Sequence, residues 1–187
     1  MKKLFVPIIF ARAKEKRISY TEKIIPLVAG AAKKAGLNIT IIDAQASGIH
    51  ETSRELTTQK KKKLSRLLFS ADGFILVAPE YNHGYPGELK IFLDSFYDEF
   101  NRKPCGIIGI SNGGIGGARM VEQLRLVAIA LQMVPLNAVI HFSNSPKLFN
   151  AEGGFLDEQT VLYKKRFAKF FDELLWYAKA LKKARKK

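Results

Sequence analysis

Five short apolar runs, each separated from the next by enough chain for a helix, constrain this sequence more than any other feature. They are "KLFVPIIF" (3–10), "NITIIDA" (38–44), "GFILVA" (73–78), "PCGIIGI" (104–110) and "PLNAVIHF" (135–142). β-Branched residues fill them and turn residues bound them, so each reads as a strand. Their near-continuous apolarity implies burial on both faces. The segments between them repeat at helical spacing. The clearest is the last: Tyr163, Phe167, Phe170, Phe171, Leu174, Leu175, Ala178 and Leu181 form one stripe, with Asp157 the predicted N-cap. Trp176 and Tyr177 fall off that stripe and are candidates for a subunit contact. A first helix is predicted over 21–35, closed by Gly36; Pro26 within it predicts a kink or a late start. Strands alternating with helices give an α/β chain whose parallel sheet is covered on both faces. No repeat, linker or second domain is visible, so residues 1–187 are expected to form one domain.

Composition excludes several classes. Hydrophobic residues make up 47% and charged residues 26%, a globular balance. The opening "MKKLFVPIIFARAK" imitates a signal peptide, but its apolar stretch is short and no small-residue cleavage site follows. No apolar run approaches roughly 18 residues, so a membrane span is not expected and a cytoplasmic chain is the default. Cys105 stands alone, so no intrachain disulfide can form, and its strand position suits a small buried hydrophobe. The net charge of +14 is concentrated in 12–17, in "KKKK" at 60–63 and in the end "KALKKARKK". Such a surface attracts nucleic acid, anionic lipid or phosphorylated small molecules. The plainer reading is solvated helix faces and a basic tail over 182–187. No groove-reading helix or aromatic-studded sheet face is visible, which argues against a nucleic-acid module.

In an open parallel sheet, ligands sit beyond the carboxyl ends of the strands, where the strand order reverses. Three strand-to-helix joins lie there. The first, "ARAKEKRISYT" (11–21), is basic and hydroxylated and opens a helix, a combination suited to phosphate. It is not a P-loop. The second, "PEYNHGYPG" (79–87), is an aromatic shelf that ends in a helix-starting Pro86. The third, "SNGGIGGAR" (111–119), has four glycines from Gly113 to Gly117, which let a flat ligand approach backbone N–H groups. It also reads as a flexible hinge. His83 reads as a structural or dimer contact, while His50 and His141 have no identifiable partner. Arg119 either meets a nicotinamide phosphate or caps its own loop. A planar, hydrogen-bonding, phosphorylated ligand would use all three joins, and FMN fits that description.

"PEYNHGYPGELK" followed by "FLDSFYDEF" and then "KPCGIIGISNGGIGGARMVEQLR" resembles the NAD(P)H-dependent FMN reductase family of the flavodoxin-like fold, whose relatives include quinone, chromate and azo-dye reductases. The resemblance implies a doubly wound five-stranded parallel sheet in order 2-1-3-4-5. It implies FMN as cofactor, NAD(P)H as co-substrate, a small-molecule electron acceptor, ping-pong turnover, and a homodimer or homotetramer with the flavin near the interface. By position, Arg12, Lys14, Arg17 and Ser19 would hold the FMN phosphate. Pro79, Glu80, Tyr81 and Asn82 would line one side of the ring. Ser111, Asn112, Gly113, Gly114, Gly116 and Gly117 would meet its other edge. The flavin carries the chemistry, so no catalytic side chain and no metal site is assigned. The first loop departs from the family pattern: it begins Ala11-Arg12-Ala13-Lys14 where the family has Gly-Ser or Gly-Thr before an Arg. An FMN-binding electron carrier or redox sensor without fast NAD(P)H turnover is the alternative.

Overall fold

The computed structural model describes residues 3–12, 19–150, 152 and 154–185. One all-parallel sheet runs through the chain. Its strands are β1 (Ile8–Phe10), β2 (Ile41–Asp43), β3 (Phe74–Pro79), β4 (Pro104–Ile110), β5 (Val134–Pro135) and β6 (Ile140–Phe142). The order is β2-β1-β3-β4-β5, and β6 also pairs with β4. The helices are α1 (Tyr20–Lys34), α2 (Gln59–Phe69), α3 (Gly87–Asp94), α4 (Ala118–Ala130) and α5 (Asp157–Ala184).

The two-residue period of each strand sorts its side chains between two cores. Ile9, Phe74, Leu76, Cys105 and Ile107 face the layer of α2, α3 and α4. Ile8, Phe10, Ile75, Val77, Ile108 and Ile110 face the layer of α1 and α5. Tyr163, Phe170, Phe171, Leu174 and Ala178 are the buried residues of the α5 stripe, as its spacing predicts. Cys105 is fully buried, and burial pushes its thiol up to about 12.

Several local expectations are corrected. The run 3–10 is regular only from Ile8, because Pro7 has no N–H to give the ladder; Phe5 still bridges to Asn38. The run 38–44 is likewise regular only over Ile41–Asp43. The run 135–142 is two pieces. Between them the N–H groups of Asn137 and Ala138 donate to the Glu173 carboxylate, each at 2.8 Å, and Arg125 donates to the carbonyls of Leu136 and Asn137. Side chains from α4 and α5 thus replace the missing ladder bonds. α1 runs unbroken across Pro26. The N-cap of α5 is Leu156 and not Asp157, which instead places its charge in the first turn with Glu158.

The basic segments are less free than their composition suggests. Lys61 is buried and its ammonium donates to the Ser53 carbonyl; Lys60 donates to Ala46 at 2.9 Å. In place of a tail, Lys182 lies in the last turn of α5, its Nζ 2.8 Å from the buried carboxylate of Asp72. Arg185 reaches the same carboxylate at 3.8 Å and donates to the Arg102 carbonyl at 2.6 Å. Lys186 and Lys187 lie outside the described residues. A buried carboxylate needs such counter-charges.

Candidate functional site

Strand order reverses between β1 and β3, and the loops after β1, β3 and β4 surround a cleft of about 1100 Å³ there. Each loop is held by its own hydrogen bonds, and those bonds decide which groups remain for a ligand.

The first loop ends at α1. Ser19 is the N-cap of that helix. Its hydroxyl accepts from the Glu22 N–H at 3.2 Å, while the Glu22 carboxylate accepts from the Ser19 N–H at 2.8 Å. This reciprocal cap fixes the helix start at the cleft wall. Arg12, expected to grip a phosphate, turns beneath that start. Its guanidinium lies 2.7 Å from Glu22 and 3.8 Å from Asp43, and donates to Gln45 at 3.1 Å. Burial raises the Glu22 pKa, but the Ser19 hydrogen bonds and the Arg12 charge outweigh it and leave the carboxyl below its ordinary value. Lys14 and Arg17 lie outside the described residues. Lys23, one turn into α1, lines the cleft with its ammonium 5.4 Å from the ring centres of both Tyr20 and Phe149.

The second loop explains its own odd sequence. Tyr81 and Gly84 exchange two backbone hydrogen bonds, each 2.9 Å, which makes a two-residue hairpin. Its corner residues are Asn82 and His83, with φ of 49° and 67°. A hairpin of this kind requires positive φ at both corners; asparagine takes that well and histidine less so. The His83 carbonyl accepts from Gln123 of α4 at 3.0 Å, which ties the hairpin down. Glu80 lines the cleft, but its carboxylate is already engaged. Its carboxylate, 8% exposed, accepts from the Met120 N–H and from Arg119, both at 3.4 Å. Arg119 therefore meets an acid of the neighbouring loop, and Glu80 occupies the N-terminus of α4, where an anion is favoured. Pro86 is the N-cap of α3.

The third loop is anchored to the segment after β6. Ser111 donates to the Phe142 carbonyl at 3.0 Å, and the Ser111 and Gly113 carbonyls accept from Ser145 and Asn144. Gly116 and Gly117 have φ of 59° and 79° and turn the chain back against β4: a Cβ on Gly117 would lie 2.9 Å from the Ile110 nitrogen. They shape the loop from behind and do not line the cleft. His141 finds a partner here, its Nδ1 3.1 Å from the Gly116 carbonyl. Gly114 stands in open space.

Ser19, Pro79, Glu80, Tyr81, Asn82, Ser111, Asn112 and Gly113 thus come together at the cleft, joined by His83 and Arg119. Thr21 lines it as well, and Tyr20, Lys23, Ile110 and Ile115, with no role assigned from the sequence, complete it. The signal for Lys23 was its spacing: four residues past the N-cap Ser19 places it one helical turn above the loop. Among the described residues, the backbone N–H groups of Asn82, Asn112, Gly113 and Gly114 donate to no protein acceptor. Three of these residues, Asn82, Asn112 and Gly113, line the cleft.

Residues 8–147 match the NADPH-dependent FMN reductase family. This chain belongs to that family. It is 44% identical over 77 residues to an NAD(P)H-dependent FMN reductase of Schizosaccharomyces pombe, covering 41% of this chain and 38% of that one. It is 28% identical over 171 residues to an FMN-dependent NADPH-azoreductase of Staphylococcus saprophyticus, covering 86% of this chain and 89% of that one. Against several curated family members, the chain spans about half of their length or less. In fold it is similar to FerB, a flavoenzyme NAD(P)H:(acceptor) oxidoreductase from Paracoccus denitrificans, with a TM-score of 0.76 at 18% identity over 93% of this chain and 98% of that one. The flavodoxin-like sheet order agrees with that likeness. No helix of the described residues is long and apolar enough to cross a membrane.

Proposed function

We propose that this chain binds FMN in the cleft, takes a hydride from NAD(P)H and passes electrons to a small acceptor such as a quinone, a free flavin or an azo dye. One observation carries the reading: unclaimed backbone N–H groups on two of the loops that line the cleft, at Asn82 and at Asn112 and Gly113. A flat heteroaromatic ring with acceptors along its edge satisfies them, and the glycines allow it to come close. FMN, when bound, supplies the hydride chemistry on its ring. The chain's own part is to hold and orient. The Tyr81–Gly84 hairpin and the anchored Ser111–Gly113 segment are rigid because each is closed by its own hydrogen bonds. The first turn of α1 and Lys23 offer donors and charge for a phosphate. Arg12 and Ser19 serve that end by fixing the turn, and Lys14 and Arg17 remain phosphate candidates. Because the cleft opens to solvent, one face serves donor and acceptor in turn, and ping-pong kinetics are expected. Leu126 and Ile129, exposed at 70% and 58% on α4, are the contacts proposed for a homodimer or homotetramer.

The test is an anaerobic stopped-flow trace of flavin absorbance. NADPH or NADH should bleach the FMN-loaded protein, and a quinone or azo dye should restore the colour. Flavin that binds but stays oxidised for minutes in excess of both nucleotides would sink the reductase and leave an electron carrier or sensor.

A further inference from the structure

A second concavity lies on the α1–α5 layer. Its volume is about 660 Å³, within the roughly 300–1,000 Å³ of small-molecule sites. α1 contributes Pro26, Gly30 and Ala31 to its floor, and α5 with the segment before it contributes Phe155, Phe167 and Leu175. Two features of α1 open it. Gly30 has no side chain, and nothing in the protein lies within 4 Å of where its Cβ would be. Pro26 sits in mid-helix, where it gives up a backbone hydrogen bond without being required for a turn. The result is an apolar trough bordered by three exposed charges: Lys34, Lys164 and Asp172. Among the described residues none of the three is in an ion pair.

The border carries two positive charges against one negative, on a chain whose formal net charge is +14. The excess of positive charge makes an apolar body with one negative head complementary to it. We propose that the trough between α1 and α5 is a second small-molecule site, which takes an amphiphile with an apolar tail and a single anionic head group, of the long-chain carboxylate kind. The site is separate from the flavin cleft. An aromatic partition divides them: Tyr20 lines the cleft and stacks on Phe149 at 5.9 Å, and Phe149 meets Phe155 of the trough edge-on at 5.7 Å.

The experiment uses the whole protein and two probes, the fluorescent apolar anion 8-anilinonaphthalene-1-sulfonate and dodecanoate. The fluorophore should bind the folded protein once, with the same affinity with and without FMN, and dodecanoate should displace it. Gly30→Leu puts a side chain into the trough at a helical position and should weaken the fluorophore by about 10-fold or more, with the circular dichroism spectrum unchanged. The surface double variant Lys34→Glu, Lys164→Glu tests the head group without touching the packing. It should weaken dodecanoate at least several-fold and leave neutral dodecanol unaffected. The proposal is overturned if the fluorophore binds Gly30→Leu as it binds the parent, if FMN displaces it, or if the double variant treats dodecanoate and dodecanol alike. It is equally overturned if the parent sediments as an oligomer and Gly30→Leu as a monomer, since a second copy would then be the occupant.

Discussion

Lys103→Met should destabilise the protein severely and also change how its stability depends on pH. Lys103 is buried, 4% exposed, and its Nζ donates to three backbone carbonyls: Leu68 and Phe69 at 2.8 Å and Glu99 at 2.7 Å. The first two belong to the last turn of α2. Methionine keeps the volume of the stem but leaves the Phe69 and Glu99 carbonyls without a donor, while the Leu68 carbonyl keeps the Ala71 N–H at 3.1 Å. A buried acceptor left unpaired costs about 1–3 kcal/mol; with two of them, and the relief of an expensive buried ammonium offsetting part of that, a net loss of about 2–4 kcal/mol is expected at pH 7. Burial lowers the ammonium to about 8 in the folded chain, against about 10.4 for an unfolded lysine. Between those values the unfolded chain binds more protons, so stability gains with rising pH over that window. Solvent screening reduces the gain to about 1–3 kcal/mol. Urea denaturation of both proteins at pH 7, 8, 9 and 10 measures each part. The deficit of the variant should widen above pH 8. A constant deficit would refute the burial argument and show that the three carbonyls hold the proton as firmly as water does; a deficit below about 1 kcal/mol would refute the packing argument.

Gly113→Val should fold normally, since the nearest protein atom to the new Cβ is 4.0 Å away, yet weaken FMN by about 10- to 100-fold by obstructing the cleft; flavin titration by fluorescence quenching checks it, and undiminished FMN affinity would remove this wall from the site. His83→Gly relieves a non-glycine residue at φ 67° and should raise the melting temperature, by the equivalent of about 0.5–1 kcal/mol; a lower melting temperature would show that the His83 side chain supports the fold.

What was legible in the sequence was what local pattern controls. The β-branched runs of β3 and β4 are full-length strands because both faces of each are buried, and α1 stops just before Gly36, whose φ of 86° suits glycine. The rest depends on partners far away in sequence. Nothing near residues 135–142 announces that Glu173, more than thirty residues on, will take two of their N–H groups and split the strand. Arg12 looked like a phosphate ligand because a basic loop opening a helix is one, but Glu22 and Asp43 approach it only after β1 and β2 have paired. The same holds for Asp72, whose need for counter-charge converts the expected basic tail into structure. In the cleft, eight of the expected residues meet, from Ser19 to Gly113, while the division between Gly113, which lines the cleft, and Gly116 and Gly117, which support it from behind, depends on backbone dihedral angles that the sequence does not announce.

Phe170 sits over the bare backbone of Gly106 at the middle of β4, so close that a Cβ there would lie 2.3 Å from its ring. The ring and the gap make a key and a slot, and they set one axial position for α5 against the sheet: a slide by a turn in either direction would leave the slot empty and drive another side chain into the strand. The helix therefore has no half-docked state of comparable energy. Its amides, from Tyr163 to Ala178, should exchange with deuterium at the rate of global unfolding instead of fraying one turn at a time, which makes α5 the place to read the stability of the whole domain from a single exchange measurement.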